Sequence, residues 1–171
     1  MELLLGCGHF RQKRVWSDDD TEWRQLVGID FNRDIHPDVV ADLAASCLPF
    51  KDNSFDEIHA YEVLEHMGQQ GAWRFFFAQF DEFARVLKDQ GRMFITSPHK
   101  DSVWLWGDPG HTRYIGPELV YFLDRANYDK NYERGTSMTD YRPYFKSNWT
   151  GEYFDRQGES NVMIIRNRKE F

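Results

Sequence analysis

The sequence opens "MELLLGCGHF", residues 1–10, and the reading of this stretch decides the fold. Leu3, Leu4 and Leu5 run without a polar break into Gly6, Cys7 and Gly8. A short apolar run that stops at glycines is what a strand covered on both faces requires, and the glycines let a ligand approach the backbone just past its end. Similar runs recur: "LVGID" at 26–30, "DVVAD" at 38–42, "FDEIHAY" at 55–61 and "RMFITSP" at 92–98. Separated by spacers of helix or loop length, they predict an α/β fold, doubly wound around a mainly parallel sheet.

The clearest helix is predicted over about 71–88. Trp73, Phe76, Phe77, Phe80, Phe83, Ala84 and Leu87 recur there at spacings of three and four, with Asp81, Glu82, Arg85 and Lys88 on the other side and Gly91 as the stop. A second helix is predicted from Pro117, a favourable first-turn residue, to about Asn127. The crossover at 9–25 is expected to be abbreviated, with Ser17 capping a short helix in "DDDTEWRQ". Residues 128–160 lack a clean period. One strand is expected near 129–136, and "NVMIIRNRK" at 161–169 reads as the last strand.

Composition narrows the function. Of the 171 residues, 41% are hydrophobic and 16% aromatic, which describes a packed globular chain rather than a disordered one. The net charge of -7, from 21 Lys and Arg against 28 Asp and Glu, disfavours nucleic acid as a partner. Cys7 and Cys47 form no disulfide framework, so a reducing, cytoplasmic setting is expected. The run at Leu3–Leu5 is too short for the core of a signal peptide, and none approaches a membrane span, so no membrane insertion is expected.

In an open parallel sheet, ligands bind beyond the carboxyl ends of the strands. A dinucleotide fingerprint, G-x-G-x-x-G, fails here because Arg11 stands at the third glycine, and no Gly-Lys-Ser/Thr follows to make a P-loop. Two glycines remain, with Asp30 placed 22 positions after Gly8 at the end of the second strand. A carboxylate there accepts hydrogen bonds from ribose hydroxyls. Asp42 is placed to accept from an adenine amino group, with Leu43 and Leu48 flanking the ring. The ligand reads as a nucleoside without phosphates.

Together with "LPFKDNSFDEIHAYEVLEHM" (48–67), "RVLKDQGRMFITSP" (85–98) and "GHTRYIGPELVYFLDRANY" (110–128), these stretches resemble the class I S-adenosylmethionine-dependent methyltransferases, in particular small members that begin at "LxLGCG". The resemblance implies a Rossmann-like, three-layer α/β/α domain with an antiparallel edge strand, spanning 1–171, its cofactor half at about 1–98 and its substrate side at about 99–171. It implies that Gly6, Cys7 and Gly8 pass under the methionine part of S-adenosylmethionine and that Asp30 holds the ribose. Asp42 and Leu43, with backbone near Cys47 and Leu48, would hold the adenine. Many relatives carry an acid two places before the first glycine and a glycine two after the second; Leu4 and Phe10 stand there instead.

Methyl transfer from a sulfonium is an in-line displacement, which needs alignment and, for a hydroxyl or amine, removal of a proton. His66, His111, Glu62 and Tyr61 are the rim candidates for that work, while His9, His36 and His59 read as loop or surface residues. His66, His99 and His111 could converge with Asp108, but they lack metal-ligand spacing, and no metal is expected. Residues 100–116, with Trp104, Trp106 and Tyr114, are expected to cover the pocket of a small-molecule, saccharide or lipid-linked acceptor. A catalytically idle cofactor- or partner-binding domain is the alternative; a nicotinamide oxidoreductase is disfavoured by Arg11.

Overall fold

The apolar runs all become strands in the computed structural model, which describes residues 1–16, 20–45 and 47–169. β1 (Glu2–Leu5), β2 (Leu26–Asp30), β3 (Val39–Val40), β4 (Phe55–Tyr61) and β5 (Leu87–Pro98) lie parallel in the order β3-β2-β1-β4-β5. A hairpin of β6 (Trp149–Gln157) and β7 (Ser160–Asn167) completes the sheet, β7 running antiparallel to β5 with β6 outermost. Leu5 pairs with Ile29 on one side and Ala60 on the other. Strand order therefore reverses between β1 and β4, and an open sheet leaves its ligand crevice at such a point.

One face packs on α1 (Trp73–Val86), where Phe77, Phe80 and Phe83 bury against Leu3, Leu5, Ile58, Met93 and Ile95. The expected aromatic stripe is core. Gly91 does not stop this helix: the chain passes at Leu87 directly into β5, and Gly91 lies within that strand. A Cβ there would stand 3.0 Å from the carbonyl oxygens of Asp56 and Lys88, so close backbone approach is what the glycine permits.

Three short helices, α2 (Trp104–Gly107), α3 (Pro117–Tyr121) and α4 (Arg125–Glu133), connect β5 to β6. The single helix expected from Pro117 to Asn127 is thus two. Leu123 turns fully into the core, and the Asp124 carboxylate accepts from the Ala126 amide to start α4 afresh. The strand expected near 129–136 is largely the second half of α4. The missed strand is β6, polar and exposed along nearly all of its length, held through a turn with Gly158 at φ +61°. The expected Ser17 cap lies outside the described residues.

The opposite face carries no α-helix among the described residues; it is covered by the irregular stretches 9–16 and 20–25. Val15 and Trp23 pack there over Leu4, Tyr61, Phe94, Val162 and Ile164. Polar groups fasten this strap. The Lys13 ammonium lies 2.8 Å from Glu2 and 3.3 Å from Glu57, and Glu2 also accepts the Arg24 amide at 2.7 Å. Burial alone would lower the Lys13 pKa, but its hydrogen bond to Glu2 and the charges of Glu57 and Glu2 outweigh that and raise it. His59, expected at the surface, is fully buried because it occupies an inward position of β4 on this face. It stacks on Phe94 at 4.6 Å and touches Glu57 at 3.0 Å and the Tyr61 hydroxyl at 2.6 Å.

These groups set the pH response. Burial opposes charge on both Glu57 and His59, but His59 and Lys13 hold Glu57 down at about 2. His59 is depressed by burial despite Glu57. Below about pH 6.5 the unfolded chain takes up protons that the folded one refuses, first on histidine and then on glutamate, so stability falls with pH. The melting temperature is expected to drop steadily from about pH 7 to pH 4. Lys13→Met should cost about 3–5 kcal/mol near neutrality by stranding buried carboxylates, and that deficit should shrink toward pH 4 as Glu57, no longer held down by the ammonium, protonates. Thermal melts of both proteins across this range check the sign; a deficit that grows on acidification contradicts the assignment.

Candidate active site at the strand ends

The turn after β1 is built on missing side chains. Gly6 sits at φ +56°, and a Cβ on it would lie 2.5 Å from Val63 Cγ2, so the turn presses against the segment leaving β4. Gly8, at φ +52°, donates its amide to Asp30 Oδ2 at 3.2 Å, while the Asn32 amide donates to Oδ1 at 2.9 Å. The carboxylate ending β2 therefore ties both turns, and each of its oxygens retains acceptor capacity. Beside it opens a cleft of about 540 Å³, walled by Gly6, Asp30, Phe31, Asp42, Leu43 and Val63 and reached by His66. That volume suits a small ligand or cofactor.

Some expected site residues lie elsewhere. The Cys7 thiol packs on the strap face against Gly28, which leaves only its backbone at the turn. Leu48 does not face the cleft: its side chain is core, and its amide already donates to Glu82 Oε1 at 2.6 Å. Tyr61 is not a rim residue either. Its place in β4 turns it to the strap face, where its hydroxyl meets the Arg14 and Val15 amides and burial pushes it up to about 12. Glu62 follows at φ +52° with its amide donating to Thr96. Sequence reasoning passed over Phe31, whose ring is 76% exposed in the cleft wall, although an aromatic directly after the strand-end acid was a readable signal.

At the rim, the single turn Leu64–His66 carries Glu65 inward and leaves His66 exposed. His66 Nδ1 lies 3.2 Å from the Gly110 carbonyl and His111 Nδ1 3.2 Å from that of Leu105, with the two ring centroids 4.5 Å apart. Glu65 is fully buried, and neither of its carboxylate oxygens has a hydrogen-bond partner. Burial, reinforced by neighbouring Glu62, pushes it up to about 8, and His111 Nε2 stands 3.9 Å away. Arg113, also buried, donates to the Leu64 carbonyl and to Gln79, and burial draws its pKa down to about 10. His99 lies outside this group: its amide is bound to Glu159.

A family model for the methyltransferase domain matches residues 3–95, more than half of the chain. The chain belongs to this family. Its cofactor is S-adenosylmethionine. The methyltransferase is similar in fold to a SAM-dependent methyltransferase from Archaeoglobus fulgidus, with a TM-score of 0.61, 15% identity and coverage of 96% of this chain and 85% of that one. It is also similar to the N-methyltransferase NodS from Bradyrhizobium japonicum (TM-score 0.54, 14% identity, 98% and 85% covered). A third similar structure is a putative methyltransferase complexed with the Trm112 methyltransferase activator of Haloferax volcanii (TM-score 0.56, 12% identity, 98% and 82% covered). An uncharacterized protein of Methanocaldococcus jannaschii is 38% identical over 56 residues, which are 33% of this chain and 22% of that protein.

The cleft of this methyltransferase fits the cofactor's nucleoside. The Asp30 carboxylate retains acceptor capacity toward the cleft, Phe31 presents an exposed aromatic face in its wall, and Gly6 brings bare backbone to its edge. Asp30→Asn is expected to cost about 1.5–3 kcal/mol of cofactor affinity, roughly ten- to 150-fold. Phe31→Ala should cost about 1–2 kcal/mol in stacking, roughly 5- to 30-fold, while leaving the melting temperature unchanged because the ring is exposed. Calorimetric titration of each variant with the demethylated cofactor, beside its thermal melt, checks both; undiminished affinity in Asp30→Asn contradicts the ribose assignment.

Proposed function

We propose that this methyltransferase transfers the methyl group of S-adenosylmethionine to a small molecule bearing an apolar or ring-shaped group, a class that includes lipid-linked acceptors and excludes nucleic acid. The observation that carries the reading is the pairing of a nucleoside-sized cleft with two imidazoles at its mouth, His66 lining the cleft and His111 packed on it. The segments bearing these histidines run on into the walls of a second cavity of about 160 Å³, lined by Gln70, Trp73, Phe76, Phe77, Tyr114 and Phe122. That volume suits one ring or a short alkyl group rather than a whole sugar chain, so an apolar end would anchor there and present a polar atom to the rim.

When bound, S-adenosylmethionine supplies an electrophilic methyl on a sulfonium. Asp30 and Asp42 would hold its nucleoside, the backbone of the turn at Gly6 and Gly8 would pass beside its methionine chain, and the rim would fix the acceptor in line, which is the larger part of the acceleration. His66 or His111 would take the acceptor's proton as the acceptor gains its bond to the methyl carbon and the carbon–sulfur bond breaks, leaving the demethylated cofactor as a neutral thioether. General-base help of this kind is worth roughly 10²–10⁴-fold.

The test is incubation with methyl-labelled cofactor and fractionated cell extract, with label followed into organic-soluble, glycan and macromolecular pools. Label in an organic-soluble small molecule is expected, with turnover reduced roughly 10²–10⁴-fold in the base variant, His66→Ala or His111→Ala. Cofactor binding without turnover on any pool points to the idle-domain reading. Full turnover in both histidine variants removes the base assignment.

A further inference from the structure

Glu65, His66 and His111 each offer one ligating atom, and these atoms all lie within 4.8 Å of one another. We propose that these three residues form a binding site for a divalent transition-metal ion at the mouth of the cleft. The first reason is the state of Glu65. A fully buried carboxylate with two unpartnered oxygens is expensive to keep, and a cation is the partner that satisfies it. Arg113 acts on Glu65 by charge without bonding it, since its Nε and Nη2 are committed to the Leu64 carbonyl and Gln79.

The second reason is how the imidazoles are held. Each has Nδ1 at 3.2 Å from a backbone carbonyl, Gly110 for His66 and Leu105 for His111. A ring that donates through Nδ1 keeps its lone pair on Nε2, and such a backing hydrogen bond accompanies most metal-ligating histidines. His111 Nε2 points at Glu65 Oε1, 3.9 Å away, and also at Asp108 Oδ2, 3.8 Å away. The loop bearing His111 is laced to the turn bearing Glu65, because the Thr112 amide and hydroxyl both donate to the Glu65 carbonyl. The donors are therefore presented by fixed backbone.

Two imidazoles and a carboxylate suit zinc, iron(II) or cobalt(II) rather than magnesium or calcium, which prefer oxygen, and an imidazole with its Nε2 on the ion accepts no proton, so the base role proposed above belongs to the metal-free protein. The comparable cluster on the strap face, Glu2, Glu57 and His59, makes the contrast. There the Lys13 ammonium already sits between the two carboxylates. The short-range spacing that would announce a metal site in the sequence is absent because His111 reaches the pair from a distant loop.

The experiment uses untagged, chelator-treated protein carrying Cys47→Ser, which removes the exposed thiol as a competing ligand. Cobalt(II) is titrated by absorbance and zinc(II) by calorimetry, both without S-adenosylmethionine. One equivalent is expected, with a rise in melting temperature on zinc addition. Glu65→Gln and His111→Ala should each abolish the equivalent and the rise, and metal-free Glu65→Gln should melt no lower than its parent because it buries no unpaired carboxylate. Should His111→Ala fail to fold, His66→Ala, at an exposed side chain, decides. Absence of a stoichiometric site, or binding unchanged in the folded variants, overturns the proposal. Cofactor affinity is measured separately, so a protein that binds metal but not the demethylated cofactor refutes the methyltransferase site and leaves this one standing.

Discussion

The contact between Gly6 and Val63 is the constraint on which the site depends. A side chain at Gly6 would overlap Val63, so β1 and β4 can end side by side only if the first of them ends in glycine at positive φ. That contact brings the chain into the crevice between the two strands, where strand order reverses. From there Gly8 reaches Asp30, and the same carboxylate takes the Asn32 amide. Arg11 continues the arrangement by binding Asp38 and the His36 carbonyl, and Asp38 also accepts the Gly28 amide. The first two turns are one hydrogen-bonded unit, so the Asp30 corner of the cleft is set before any ligand arrives.

Much of this was legible in the sequence because burial on both faces writes itself as continuous apolar strands, and the strand ends could be read to within a residue or two at β1, β2 and β4. What escaped was decided by pairing rather than by pattern. β6 carries a polar, exposed sequence, "WTGEYFDRQ", and is a strand because β7 is beside it. The Pro117 helix ends early because Asp124 caps the next one, a local competition that helical spacing does not register.

The site was legible to a similar degree. Asp30, Asp42, Leu43 and Gly6 line the cleft where chain position put them, since a strand end has a fixed location in this architecture. Tyr61 and Leu48 were misplaced by facts one residue wide: the side of β4 on which a residue falls, and an amide already taken by Glu82. Glu65 stood in plain view inside "VLEHM", but its isolation is a three-dimensional property. No sequence pattern says that two carboxylate oxygens will find no donor.

The loop following β5 has a further consequence for motion. At its start Ser102 binds Glu159 and His99 is held to the same residue, and at its end Thr112, Arg113 and Tyr114 are bonded to the 64–70 segment. Leu105 is buried in the middle, which leaves Val103, Trp104 and Trp106 as its exposed apolar side chains. A loop anchored at both ends and pinned at its centre does not swing as a hinged flap; it shifts by side-chain rotation and slight backbone flexing. Such movements belong to the nanosecond-to-microsecond range, faster than the turnover of most enzymes. The part of this loop that lines the cleft is Gly110, so that wall is held in place by the bonds at the loop's C-terminal end rather than by the timing of a door.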